Sequence, residues 1–388
     1  MFSDRTKWKL ALNRLTEAID EARRSGVQVL DLTVSNPTRV GLTYDDAKVL
    51  QALASAQAMD YDPQPKGLGT ARAAVTEYYQ SQHGMAIDPE RLILTTGTSE
   101  GYSFVFRLLC NPGDELLVPK PSYPLFEFLA DLQDVKLVPY PLIYDHGWQI
   151  DFHSLRGAVT EKSRAIVVVH PNNPTGSYVD GEERDLLKEI CREHGLALVA
   201  DEVFLDYALD APPQPSFTSN DNVLTFTLSG VSKISALPQM KVAWIAVSGP
   251  WAEVEMALGR LEVIADTFLS MNAPIQWATP ALLEQRHSIQ RQLLDRVRTN
   301  LAELDRQLAS QEMCQRLRVE GGWNAVLRVP ATQSDEDLAI DLLRGKSVLV
   351  HPGHFYDFPG DGYLVLSLIT SNEQFTQGIT RLLDRFKP

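Results

Sequence analysis

The sequence predicts an α/β protein: a large domain whose mostly parallel central sheet is covered by helices, and a smaller α/β domain. Three observations lead there. Short, continuously apolar runs such as 165–169 and 196–200 alternate with helical stretches, the pattern of a sheet buried on both faces. Small or polar residues gather just after those runs. A chain of 388 residues with 44% hydrophobic and 22% charged side chains can form one large core and a smaller one.

The elements follow in order. Residues 6–25 carry Trp8, Leu10, Leu15 and Ile19 at helical spacing, and Ser25-Gly26 ends the pattern. A strand at 27–34 runs into the turn Ser35-Asn36-Pro37-Thr38. Helices are expected at 45–59 and 69–83, separated by the turn-rich loop at 61–67. Strands then fall at 92–95, 115–118, 135–140, 165–169, 196–200, 223–228 and 242–247. Helices are expected at 98–109, 123–132, 180–194 and 251–266, and one long helix at about 279–310. The last part gives strands at 325–329, 347–350 and 363–368, flanked by helices at 335–344 and 373–386.

Composition narrows the function. The net charge of −14 argues against nucleic-acid binding, which needs a basic face, and gives no attraction to anionic membranes. No stretch is long and apolar enough to span a bilayer, and the N-terminus lacks a signal-peptide pattern. A cytoplasmic location is expected. Cys110, Cys191 and Cys314 show neither a disulfide framework nor metal spacing, so no metal site is expected.

Ligands of parallel α/β sheets bind beyond the carboxyl ends of the strands. Gly97-Thr98-Ser99, Tyr123, Asn173, Asp201 and Ser229–Lys233 all follow apolar runs. Each has an ordinary explanation when taken singly: an N-cap, a half-buried tyrosine, a turn, a salt bridge, a surface lysine. Together they make one chemistry. The Lys233 amine can form a Schiff base with an aldehyde cofactor. The helix start at Gly97-Thr98-Ser99 suits a phosphate. Tyr123 can stack on a flat ring, and Asn173 can donate to a ring oxygen. Asp201 needs a partner, and a protonated pyridine nitrogen would serve.

On these residues the chain resembles the class I/II aminotransferases, fold-type-I pyridoxal-phosphate enzymes. The resemblance runs from Ser35-Asn36-Pro37 to Ser367 and is most specific at Asn173-Pro174-Thr175-Gly176, Asp201-Glu202-Val203 and Ser232-Lys233. It implies that Lys233 carries pyridoxal 5'-phosphate and moves the substrate's Cα proton. It implies that Asp201 holds the pyridine nitrogen protonated, that Asn173 binds the ring oxygen and that Tyr123 stacks. Gly97, Thr98, Ser99 and a hydroxyl at Ser229 would cradle the phosphate. Tyr61 matches a residue that reaches the phosphate of a neighbouring subunit, which implies a homodimer. Residues 45–279 form the expected cofactor domain, with 1–44 and 280–388 as the small domain.

Four departures stand out. Lys241 falls where the family has a phosphate-clamping arginine, keeping the charge without the two-pronged grip. Phe204 replaces a tyrosine that bonds the ring oxygen. Phe204→Tyr is therefore expected to lower the pH at which the Schiff base loses its proton; a spectral titration checks this, and equal midpoints refute it. Gly230 replaces a serine, for which Ser229 is the expected substitute. Val365 occupies the place of the arginine that anchors the substrate's α-carboxylate. Arg39, with Asn36 beside it, is the candidate replacement, and His354 a weaker one.

The expected function is amino transfer between an amino acid or amine and a 2-oxo acid, with an unusual carboxylate site. A carbon–sulfur β-lyase on the same scaffold and a non-catalytic cofactor-binding protein are the alternatives.

Overall fold

A computed structural model describes residues 1–124, 126–209 and 214–387. Eight strands form the central sheet in the order Leu92–Thr95, Ala243–Ser248, Thr225–Gly230, Ala197–Asp201, Ser163–Val169, Glu115–Lys120, Lys136–Tyr144 and Trp148–Ile150. The sheet is mostly parallel. Ala243–Ser248 runs against both its neighbours, and the edge strand Trp148–Ile150 runs against Lys136–Tyr144.

The continuous apolar runs arise because both faces of this sheet are covered. Leu116, Val118, Val167 and Val199 pack to one side, with the helices Thr98–Leu109 and Trp251–Phe268. Leu117, Ile166, Val168 and Leu198 alternate to the other side, over the helix Gly181–His194. That helix is set by a capping box, Asp180 with Glu183, and ends at Gly195 in the left-handed conformation.

A four-stranded antiparallel sheet has the order Gln315–Arg316, Asn324–Arg328, Tyr363–Ser367 and His351–Pro352. Near it, Leu30–Asp31 pairs in parallel with Val348–Leu349, so the N-terminal segment is tied to the C-terminal one. The helices Arg14–Arg24, Arg286–Leu308, Asp335–Lys346 and Asn372–Leu383 contribute to the same core as these strands.

Several boundaries differ from expectation. The first helix starts at Arg14, because the Asn13 side chain accepts the Thr16 amide and caps it there. Trp8 is outside that helix; its indole donates to Asp131 and its ring meets Phe128 edge-on. The strand expected at 27–34 shortens to Leu30–Asp31, since only these residues find a partner strand. The long helix divides at Gln285 into Ala273–Glu284 and Arg286–Leu308. The helix expected at 123–132 is Phe126–Asp131; residue 125 lies outside the described residues. Among the described residues, no helix is long and apolar enough to cross a membrane.

Candidate active site

The strand ends converge as expected. Asp201 is the last residue of its strand. Lys233 lies on the short helix Val231–Ile234 that follows Thr225–Gly230. Asn173 and Tyr123 follow two neighbouring strands, and Gly97 caps the helix Thr98–Leu109. Lys233, Asp201, Asn173, Tyr123, Thr98, Ser99 and Lys241 border one cavity of about 490 Å³. The opposite wall comes from the smaller sheet and its connections: Trp323, Asn324, His351, Tyr356 and Ser367.

Lys233 and Asp201 perturb one another in this cleft. Burial pushes the Lys233 amine down to about 8, while the Asp201 charge works against that shift. Its Nζ stands 4.9 Å from the centre of the Trp323 ring and 5.4 Å from that of Phe204. The Tyr207 hydroxyl donates to the Lys233 carbonyl at 2.6 Å and fixes the short helix. Burial pushes the Asp201 carboxyl up to about 6, opposed by the Val203 amide, the Tyr102 hydroxyl and the Lys233 charge. Those donors stand at 3.1 and 2.9 Å. Burial thus moves both groups toward neutrality, as is common at functional sites.

At the other end, a Cβ added to Gly97 would stand 3.3 Å from the Lys241 Nζ. The Lys241 ammonium therefore sits at the start of a twelve-residue helix, where N–H groups and dipole already favour an anion. Ser229 does not join them. It is 2% exposed, and its hydroxyl faces the Glu202 carbonyl within the sheet. Gly230 and Ser232 border the cleft instead. A side chain at Gly230 would collide with the neighbouring strand, its Cβ falling 2.7 Å from the Val242 carbonyl oxygen. The close approach of that strand explains the missing serine. The Asn173 side-chain oxygen accepts from Asn324 at 2.7 Å, which leaves its amide hydrogens as donors for a ligand.

The candidate substrate residues are not brought together. Arg39, Asn36 and His354 are exposed and do not line the cleft. Asn36 is used locally: its side chain accepts the Thr38 amide and hydroxyl and caps the turn Pro37–Arg39. The structure therefore places Asn36 and Arg39 on a solvent-facing turn outside the cleft lining, where Asn36 acts as a cap. Tyr61 is 81% exposed and borders a separate cavity of about 600 Å³ formed with the segment 269–277. Val365 is 1% exposed and packs in the apolar core. No arginine lines the cleft among the described residues.

The sequence-based reading missed Tyr102, Trp323, Asn324, His351 and Tyr356. Tyr102 stands three residues after Ser99 on a helix already assigned, so its position one turn on was a usable signal. The others depend on how the smaller sheet pairs.

The donor set fits pyridoxal phosphate. It holds an amine, a carboxylate, an amide with free N–H groups, and a lysine at a helix start that suits an anion. The aminotransferase class I and II family model matches residues 27–382. The chain belongs to that family. It is a pyridoxal-phosphate-dependent aminotransferase. It is 30% identical over 275 residues to the glutamate-pyruvate aminotransferase AlaA of Escherichia coli strain K12, covering 70% of this chain and 68% of that one. It is 28% identical over 373 residues to an alanine aminotransferase of Mycobacterium tuberculosis, covering 92% and 85%. The fold matches that of the alanine aminotransferase from Pyrococcus furiosus with a TM-score of 0.91, at 22% identity and with 100% and 99% of the two chains covered. It also matches a single mutant of Thermus thermophilus aspartate aminotransferase, with a TM-score of 0.85, 23% identity and 99% of each chain.

Proposed function

We propose that this aminotransferase passes the amino group of a small or apolar amino acid to a 2-oxo acid, in a cleft that holds the substrate's carboxylate without an arginine. The observation behind this reading is the lining of the cleft. Lys233 and Lys241 are its only lysines among the described residues, and arginine is absent. Phe204, Trp323, Tyr123, Phe355, Leu129 and Val169 make much of the wall apolar. Such a wall stabilises an apolar side chain and gives no partner to a second carboxylate. The name of the alanine aminotransferase relative supports a small amino acid as one substrate.

Bound pyridoxal phosphate supplies the electron-withdrawing ring that makes the substrate's Cα–H bond breakable. The chain's own groups do the rest. Lys233 is the residue that would hold the cofactor's aldehyde, and its Nζ would take the substrate's Cα proton. Its lowered basicity enlarges the neutral fraction of the amine that this requires. Asp201 is a carboxylate positioned to hold the ring nitrogen protonated. Asn173 would donate to the ring oxygen, Tyr123 would cover a ring face, and Gly97, Thr98, Ser99, Ser232 and Lys241 would hold the phosphate. In the same reading the enzyme is a cytoplasmic homodimer of biosynthetic amino-acid metabolism, with Tyr61 contributed to the neighbouring subunit. Residues 45–279 then form the cofactor domain.

A panel of amino donors with pyruvate or 2-oxoglutarate tests the reading. Alanine and larger apolar amino acids are expected to give product faster than aspartate. Release of pyruvate and ammonia from a cysteine thioether with no acceptor present, and no transfer in the panel, would overturn it in favour of a β-lyase.

A further inference from the structure

Val365 removes the hydrogen-bonding group from its strand position, and of the two residues opposite it, Val326 and His351, one is a histidine. The strand His351–Pro352 runs antiparallel to Tyr363–Ser367, with His351 in register with Val365. Directly opposed residues project from the same face, with Cβ atoms about 5 Å apart. His351 is partly buried and lines the cleft, together with Tyr356, Asn324 and Ser367. Its Nδ1 shares a 3.0 Å hydrogen bond with the Tyr356 hydroxyl. No described residue is bonded to its Nε2. When the phenol donates to Nδ1, the single proton of the neutral ring sits on Nε2. Burial favours that neutral ring, against the charge of Asp31.

We propose that His351 binds the α-carboxylate of the amino acid through its Nε2 hydrogen, from the strand position facing Val365, and that Tyr356 fixes the orientation of the ring. This rests on the reading that an amino acid is bound in this cleft. A neutral N–H offers one hydrogen bond where arginine offers two and a charge. The preference for an amino acid over the matching amine is therefore modest, about tenfold.

Calorimetric titration of the holoenzyme, with no 2-oxo acid present, tests this with two ligands. One is 2-methylalanine, which has no Cα hydrogen and cannot complete amino transfer. The other is tert-butylamine, in which a methyl group replaces the carboxylate and which likewise has no Cα hydrogen. The wild type is expected to bind 2-methylalanine about tenfold more tightly. His351→Leu is expected to bring the two affinities within about twofold by weakening only the acid. His351→Asn, whose shorter amide does not reach as far, is expected to do the same and serves if the leucine variant does not fold. The visible cofactor band and the melting temperature report whether each variant is loaded and folded. Equal wild-type affinities, an unchanged preference in the variants, or equal losses for both ligands would overturn the proposal. A His351-dependent preference in an enzyme that transfers no amino group would instead sink the aminotransfer reading and leave His351 as the carboxylate group.

Discussion

Lys233→Ala is expected to lower amino transfer by at least about 10⁴-fold and to abolish the visible absorption that covalent attachment of the cofactor gives. Two functions are lost at once. The amine that holds the aldehyde is gone, and so is the base within reach of Cα. The surrounding fold is expected to survive. Tyr207 contacts the main-chain carbonyl of residue 233, which alanine retains, and the helix Val231–Ile234 is otherwise anchored by buried apolar residues. Steady-state rates, the absorption spectrum and a melting curve measure these outcomes separately. A variant that keeps activity within about tenfold of wild type would remove Lys233 from the chemistry. The wild-type apoenzyme gives a pH signature of the same group. Attachment needs the uncharged amine, and burial brings the lysine down to about 8. The rate of cofactor uptake is thus expected to climb as pH rises through about 8 and then level off. A rate that keeps rising toward the ordinary lysine range would contradict a depressed amine.

Asp201→Asn is expected to cost about 10³-fold in kcat while the visible band persists. An amide can hydrogen-bond but carries no charge to keep the ring nitrogen protonated. Lys233 and the anion site at Gly97 and Lys241 still hold the cofactor. Exchange of the substrate's Cα hydrogen with solvent deuterium is the informative readout, because it isolates the proton transfer that the charge assists. Exchange at the wild-type rate would show that Asp201 has no such role. The carboxylate is well placed for it. Val203 and Tyr102 each donate to one of its oxygens, and the Lys233 charge helps to hold it ionised against burial.

The gathering of these residues at one cleft was legible in the sequence for a simple reason. Lys233, Asp201, Asn173, Tyr123 and Gly97 each follow an apolar run, and a parallel sheet brings the ends of such runs to one edge. Local crowding was not legible. Ser229 was expected to supply a phosphate hydroxyl, yet it lies inside the strand, and the packing of Val242 and Ala243 leaves no room for a side chain at Gly230. Arg39 was expected to replace the missing arginine because it stands beside a suggestive turn. That turn is a surface cap, and proximity in sequence did not carry it to the cleft.

What the sequence determined by itself is the large sheet, its two buried faces and the residues at its carboxyl edge, because hydrophobic period and chain order fix them. What only the tertiary structure decided is the wall that faces the substrate. Asn324, His351 and Ser367 come from short antiparallel strands, and Trp323 and Tyr356 from the connections beside them. One of these strands, His351–Pro352, has only two residues, too few for a periodic signal. Their position depends on register between strands distant in sequence. The same register that sets His351 against Val365 places a neutral donor beside the position that valine leaves without one.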